Sequence, residues 1–259
     1  MGEFVRLEAE NGVGTIRLDR PKLNAIGSQM TDELFEAAKE ATQRDDVRAV
    51  VIWGGPVIFA AGADVGEMAE LGPEQVRPRI AAMQEAINAI EKIPKVTIAA
   101  INGYALGGGY ELALAADLRY AADSAKVGLP EIQLGIIPGA GGTQRLPRLI
   151  GPAKSKDLIY TGRQVQAEEA LALGLVDGVF PAKEVYERAV GGAQRFSVGP
   201  LLALRAAKRA IDLGTQADLL AGLDIEMEEF IGLFATEDQK TGMRSLLEKG
   251  AAKAEFKGK

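Results

Sequence analysis

Val96-Thr97-Ile98-Ala99-Ala100-Ile101 runs through Asn102-Gly103-Tyr104-Ala105-Leu106 into Gly107-Gly108-Gly109-Tyr110-Glu111, and Leu112-Ala113-Leu114-Ala115-Ala116 follows. The first six residues are almost unbroken apolar sequence, the pattern of a strand covered on both faces. The last five continue a helix that opens in the glycines. Upstream, Ala49-Val50-Val51-Ile52-Trp53 reads as a second such strand, closed by Gly54-Gly55-Pro56. Between them Ile80, Met83, Ile87 and Ile90 recur at spacings of 3, 4 and 3, which predicts an amphipathic helix ending before Pro94. A short strand is expected over Leu118 to Ala121. Strand, helix, strand, helix in that order predicts parallel pairing with helices outside the sheet, an α/β fold.

Toward the N-terminus, Phe4 to Glu8 and Val13 to Leu18 form an expected hairpin, with Asn11-Gly12 as its turn. Ser28 or Thr31 is expected to cap a helix carrying Leu34, Ala37, Ala38 and Ala41. After about Gly191 the pattern turns helical. Met227, Phe230, Ile231 and Phe234 make one apolar stripe, which fits core packing or a subunit interface. Thr236-Glu237-Asp238-Gln239 reads as a capping box. The division predicted is an α/β core over residues 1–195 and a helical region over 196–259.

The 259 residues are 47% apolar and 25% charged, an ordinary globular balance. No apolar run approaches a membrane span, and the start Met1-Gly2-Glu3-Phe4-Val5-Arg6 lacks the basic-then-apolar order of a secretory signal. A cytoplasmic location is the expectation. A net charge of −6 disfavours general affinity for nucleic acid. The chain has no cysteine and no histidine. That excludes thiolate nucleophiles, zinc–thiolate sites and Ser-His or Cys-His pairs. Acid–base chemistry falls to Glu, Asp, Lys or Tyr. Near neutral pH it calls for a carboxyl of raised pKa or a desolvated lysine.

Three glycine-rich segments can meet that demand. Gly107-Gly108-Gly109 leaves room for a ligand oxygen to approach main-chain N–H groups at a helix N-terminus, and Glu111 lies in the first turn. The spacing matches neither a dinucleotide fingerprint nor a phosphate loop. Close packing of helix on strand explains these glycines about as well, and the neighbouring glutamate favours a site. Phe59-Ala60-Ala61-Gly62-Ala63-Asp64 follows the Ala49–Trp53 strand, so a parallel sheet brings its N–H groups to the same edge. A tight turn explains this segment equally well. In Leu129-Pro130-Glu131-Ile132-Gln133-Leu134-Gly135-Ile136-Ile137-Pro138-Gly139-Ala140-Gly141-Gly142, Glu131 stands among apolar neighbours, where desolvation would raise its pKa. Most glutamates are surface groups, so this too has a plain alternative. Gly139 to Gly142 is expected to open a helix, and Gly141-Gly142-Thr143 beside Arg145 can pass for an anion site.

Taken in order, these segments resemble the enoyl-CoA hydratase/isomerase (crotonase) superfamily, and the hydratase branch most. The resemblance extends through Tyr160-Thr161-Gly162-Arg163, Ala170 to Val176 and Phe234-Ala235-Thr236-Glu237-Asp238. It implies a spiral of ββα units with a C-terminal helical trimerisation region, self-association as trimers or dimers of trimers, and an acyl-CoA ligand. It implies that the Ala63 and Gly108 N–H groups hold a thioester oxygen. Glu111 and Glu131 then act as the two catalytic carboxyls, their like charges pushing the pKa of one of them upward. Ala61, Asp64, Val65, Tyr104, Gly107, Pro130, Gly139 and Lys249 are the implied substrate and CoA contacts. No metal and no cofactor beyond the CoA of the substrate is implied. Two positions depart from the family pattern: Gly66, where a basic residue is frequent, and Tyr110, where a small one is common. The rival readings are an enoyl-CoA isomerase, which often needs one carboxylate, another acyl-CoA enzyme of this superfamily, and a non-catalytic RNA-binding member. Both glutamates and the acidic charge favour the hydratase.

Overall fold

The structure, a computed structural model, describes residues 2–250 and 254–259; the side chain of Lys249 lies outside the described set. Its strands are β1 (Val5–Glu10), β2 (Val13–Leu18), β3 (Ala49–Trp53), β4 (Val96–Ile101), β5 (Tyr104–Leu106), β6 (Leu118–Ala122), β7 (Lys126–Gly128), β8 (Val165–Gln166) and β9 (Gly178–Phe180). The helices of the first half are α1 (Ser28–Gln43), α2 (Val65–Met68), α3 (Pro73–Glu91) and α4 (Gly108–Leu114). Those of the second are α5 (Gly142–Ile150), α6 (Pro152–Thr161), α7 (Ala167–Leu173), α8 (Val185–Ser197), α9 (Leu201–Gly214), α10 (Leu219–Leu233) and α11 (Glu237–Lys249).

The main sheet has the order β1-β2-β3-β4-β6-β9, and a small sheet joins β5, β7 and β8. The β1–β2 pair is antiparallel and every other pair of the main sheet is parallel, as the strand–helix alternation predicts. Val50, Val51, Ile52, Ile98, Ala99 and Ala100 are fully buried. Removing an aliphatic side chain of this size from water contributes roughly 1.5–3 kcal/mol.

Several sequence expectations shift. The hairpin begins at Val5 and pairs out to Glu10↔Val13. Asn11 (φ 50°) and Gly12 (φ 81°) make the tightest possible turn, so pairing continues two residues further than Glu8. Gly27, not Ser28 or Thr31, caps α1. Thr31 Oγ1 donates back to the Gly27 carbonyl, and Ser28 donates to Glu67. Helices dominate from Gly142 onward rather than from Gly191. Thr236 caps α11 by accepting from the Gln239 N–H. The reciprocal half of the capping box is missing, because the Gln239 side chain turns to Met243 Sδ. The stripe on α10 is exposed in the single chain, at 51% for Met227 and 60% for Phe230, so it is not core.

Positioning of the site follows from the parallel pair β3–β4. The segments leaving their C-terminal ends are stitched together: Phe59 N–H donates to Asn102 O, Ala60 N–H to Tyr104 O, and Leu106 N–H to Ala60 O. Buried Asn24 fixes the other side through its amide, which donates to Gly54 O and Phe59 O at 2.9 Å each. Ile26 N–H donates to Gly62 O and Asp64 N–H to Ile26 O, which holds Ala63 in register between them.

Candidate active site

Gly107 turns the chain from β5 into α4. Its φ of 52° favours glycine, and its N–H donates to Gly128 O. A Cβ there would lie 3.0 Å from Glu131 Oε1, so the turn runs directly past that carboxyl. Gly108 follows as the first residue of α4, and a Cβ on it would lie 3.5 Å from the Ala63 nitrogen. Neither the Ala63 N–H nor the Gly108 N–H donates to a backbone group among the described residues. Two neighbouring, unpaired N–H groups can hold a developing negative charge on one oxygen. Gly109 packs so closely that a Cβ would overlap the Ala60 carbonyl oxygen. The close-packing reading of the glycine cluster holds at Gly109, while at Gly107 and Gly108 the missing Cβ lets the main chain pass beside Glu131 and the Ala63 nitrogen.

The two carboxyls are held differently. Glu111 is 2% exposed, and its Oε1 accepts from the Ala140 and Gly142 N–H groups, each at 2.8 Å. Burial raises its pKa, while the main-chain donors and Arg145 pull the other way. Glu131 opens the short 3₁₀ turn Glu131–Leu134, with Pro130 at its N-cap. Its Oε2 is buried without a hydrogen-bond partner. Burial pushes its pKa up to about 7. The nearby Glu111 charge adds to that rise, but it is the weakest of the causes, so desolvation dominates over like-charge repulsion. One carboxyl is thus braced by donors, and the other is left in want of a proton.

The chain as a whole has relatives among known proteins. A sequence profile of the family described as enoyl-CoA hydratase/isomerase matches residues 8–259. This chain belongs to the enoyl-CoA hydratase/isomerase family. It is 44% identical over 258 residues to a Mycobacterium tuberculosis protein named "Probable enoyl-CoA hydratase echA8", covering 96% of each chain. It is 41% identical over 253 residues to an Arabidopsis thaliana protein named "Probable enoyl-CoA hydratase 2, mitochondrial", covering 95% of this chain and 84% of that one. The crystal structure of an enoyl-CoA hydratase from Bacillus anthracis superposes with a TM-score of 0.94 at 40% identity, over 99% of this chain and 100% of that chain. One from Geobacillus kaustophilus gives 0.96 at 34%, over 100% and 98%. The expected crotonase-type α/β fold is the fold of this enoyl-CoA hydratase/isomerase family member.

The remaining predicted contacts scatter around this centre. Ala61 lies in the loop between β3 and α2, its N–H bound to Leu23 O. Asp64 caps α2 by accepting from Gly66 N–H, and its other oxygen binds Arg20 Nη2 at 2.7 Å. Val65, the first residue of α2, and Tyr104 at the start of β5 are both exposed. Gly139 O accepts from Gln84 Nε2. The predicted contact at Lys249 depends on a side chain outside the described residues. Tyr110 is buried, and its hydroxyl donates to Leu175 O at 2.9 Å. Its departure from the family pattern is therefore a packing feature. Tyr110→Phe is expected to cost about 1–3 kcal/mol in denaturant melts by orphaning that carbonyl, with turnover unchanged.

One expectation is corrected. Gly141-Gly142-Thr143 with Arg145 is not a free anion site. The anion bound there is Glu111, and Arg145 is committed to Glu91, Asn88 and Ala140 O. The glycine cluster signalled an anion, but nothing in its spacing said the anion was part of the chain. Sequence reading also missed Met83, whose Cε would press on any Cβ at Gly108. It lines a cavity of ≈ 220 Å³ that also touches Ile26, Ala63 and Ile80. Its only signal was membership of the apolar repeat of α3. Among the described residues no group of three or more His, Cys, Asp and Glu is placed to hold a metal, and no helix is long and apolar enough to cross a membrane.

Proposed function

We propose that the protein is an enoyl-CoA hydratase, adding water across the 2,3 double bond of an enoyl-CoA to give a 3-hydroxyacyl-CoA. The observation that carries this reading is the unequal pair of carboxyls beside two unpaired N–H groups. Glu111, ionised and braced through Oε1, takes a proton from water as the water oxygen bonds to C3. The π electrons shift toward the thioester oxygen, which the Ala63 and Gly108 N–H groups stabilise. Glu131, protonated, delivers a proton to C2 as the enolate collapses. Positioned acid–base groups of this kind contribute about 10²–10⁴-fold each. The names of the relatives support an enoyl-CoA substrate. Ala61, Val65, Tyr104, Gly107, Pro130, Gly139 and Lys249 are the proposed acyl-CoA contacts, and Asp64 contributes through the turn it caps. No cofactor beyond the CoA of the substrate enters these steps. Trimers, or dimers of trimers, would cover the exposed stripe on α10.

The test follows loss of enoyl absorbance with 2-enoyl-CoAs, beside conversion of 3-enoyl-CoAs. Fast hydration of the former supports the reading; double-bond migration without hydration makes the protein an isomerase. The pH profile is a second check. Glu131 must hold its proton, so kcat/KM is expected to fall as pH rises through about 7. On the acid side it falls as Glu111 gains a proton. A rate that is flat from pH 6 to pH 9 would remove Glu131 from the donor role.

A further inference from the structure

Glu111 is held by main chain, and that main chain is the loosest kind. Gly139-Ala140-Gly141-Gly142 contains three glycines, and Gly141 sits at φ 118°. Such a segment loses much conformational entropy on ordering and needs an external restraint to keep two N–H groups on one oxygen. The restraint comes from α3. The carbonyl of Gly139 accepts from Gln84 Nε2 at 2.6 Å, while the N–H of that same peptide, on Ala140, donates to Glu111 Oε1 at 2.8 Å. The next carbonyl, Ala140 O, accepts from Arg145 Nη1 at 3.1 Å. That peptide, between Ala140 and Gly141, lies between the two whose N–H groups reach Glu111 Oε1, those of Ala140 and Gly142. Three consecutive carbonyls are thus gripped, Gly139 O by Gln84, Ala140 O by Arg145 and Gly141 O by the first turn of α5, and the first and third of these peptides present their N–H groups to the carboxylate.

Arg145 itself is fixed by α3. Nη2 reaches Asn88 Oδ1 at 2.7 Å and Glu91 Oε2 at 2.6 Å, and Nε reaches Glu91 Oε1 at 3.3 Å. Gln84, Asn88 and Glu91 lie on one face of α3 at helical spacing. The Arg145 side chain is only 14% exposed. Its partner Glu91 is 43% exposed, and an ion pair with one member in solvent adds little net stability. Its value lies in geometry, because the planar guanidinium fork fixes direction as well as charge.

We propose that Arg145, locked to Asn88 and Glu91, is the positioning residue of Glu111, acting through the carbonyl of Ala140 on the loop that holds the carboxylate. The inference rests on Glu111 being the base of the proposed reaction. Arg145 touches no substrate and acts only through the loop.

The test compares Arg145→Met, Arg145→Lys and the milder Asn88→Ala by kinetics and by amide hydrogen exchange on the intact protein. Misplacing a catalytic group by about 1 Å from a distance can cost about 10²-fold in rate. Arg145→Met is expected to lose roughly that in kcat, with KM within about threefold of the parent. Arg145→Lys keeps the charge without the fork and regains only part of the loss, and Asn88→Ala falls between Lys and the parent. Exchange should quicken at least about tenfold in the peptide spanning residues 139–142 and stay unchanged in β3 and β4. Unchanged kcat in an active enzyme overturns the proposal, as does unchanged exchange in the loop. Exchange that rises everywhere, with a matching fall in melting temperature, also overturns it in favour of a purely structural role. If the parent hydrates no enoyl-CoA, the functional reading fails, and the exchange measurement still decides whether Arg145 holds the loop.

Discussion

Glu111→Gln is expected to lower kcat for hydration of a 2-enoyl-CoA by about 10²–10⁴-fold while KM changes little. The amide keeps an oxygen that can accept from the Ala140 and Gly142 N–H groups, so the loop keeps its anchor. What it loses is the ability to take a proton. Stability should move the other way from activity. Burial raises the Glu111 pKa, so the folded state binds its proton more tightly than the unfolded chain does. Stability contributed by this group therefore falls as pH rises from the ordinary carboxylate range through the raised value. At neutral pH the charge is a cost, and the neutral amide removes it. A thermal melt should show Glu111→Gln at least as stable as the parent, with a flatter dependence on pH. A variant that keeps more than a tenth of the parent kcat would remove Glu111 from the role of base.

Gly108→Pro should cost about 10²–10³-fold in kcat by deleting one of the two N–H donors proposed for the thioester oxygen. Proline is tolerated at the first residue of a helix, where the N–H has no intrahelical partner. Gly108 occupies that position in α4, and its φ lies outside the left-handed region. The new ring meets Met83 Cε, the mobile end of a flexible side chain. Gly108→Ala is the matched control, since it displaces the same methyl group but keeps the N–H. Kinetics on both variants, with folding checked by circular dichroism, separates the donor from the crowding. Equal losses in the two would show that the N–H does no catalytic work.

Much of this site could be read from residue order alone. The buried strands Ala49–Trp53 and Val96–Ile101 carry a clear apolar signal, and parallel pairing then brings the Ala63 and Gly108 segments together. Glu131 stood out because its neighbours in the chain are apolar; its Oε2 is buried, yet Ile132, Leu134, Ile136 and Ile137 are themselves exposed and do not provide that burial as a core would. Other parts were not legible. The helix opening at Gly142 was expected, but the helical character of the stretch beyond it is masked by short elements, α5 running through Pro147 and α6 restarting at Gly151-Pro152. A glycine loop announces that N–H groups are available and says nothing about which anion fills them, so Glu111 went unrecognised as the occupant. The link from Arg145 to α3 spans 54 residues to Glu91, beyond any local pattern.

That Glu111 is gripped by peptide N–H groups has a consequence for how this protein can diverge. A side-chain anchor disappears with one codon change, whereas a peptide donor survives nearly every substitution at its own position. The N–H groups that hold the proposed base are therefore inherited with the path of the chain, while the Gln84 and Arg145 side chains that restrain that path carry no such protection. Glu131 has no such protection: its unpaired oxygen sits where any new neighbour resets its acidity. Descendants of this sequence are free to retune the proposed proton donor in small steps, while the two donors to Glu111 stay with the backbone.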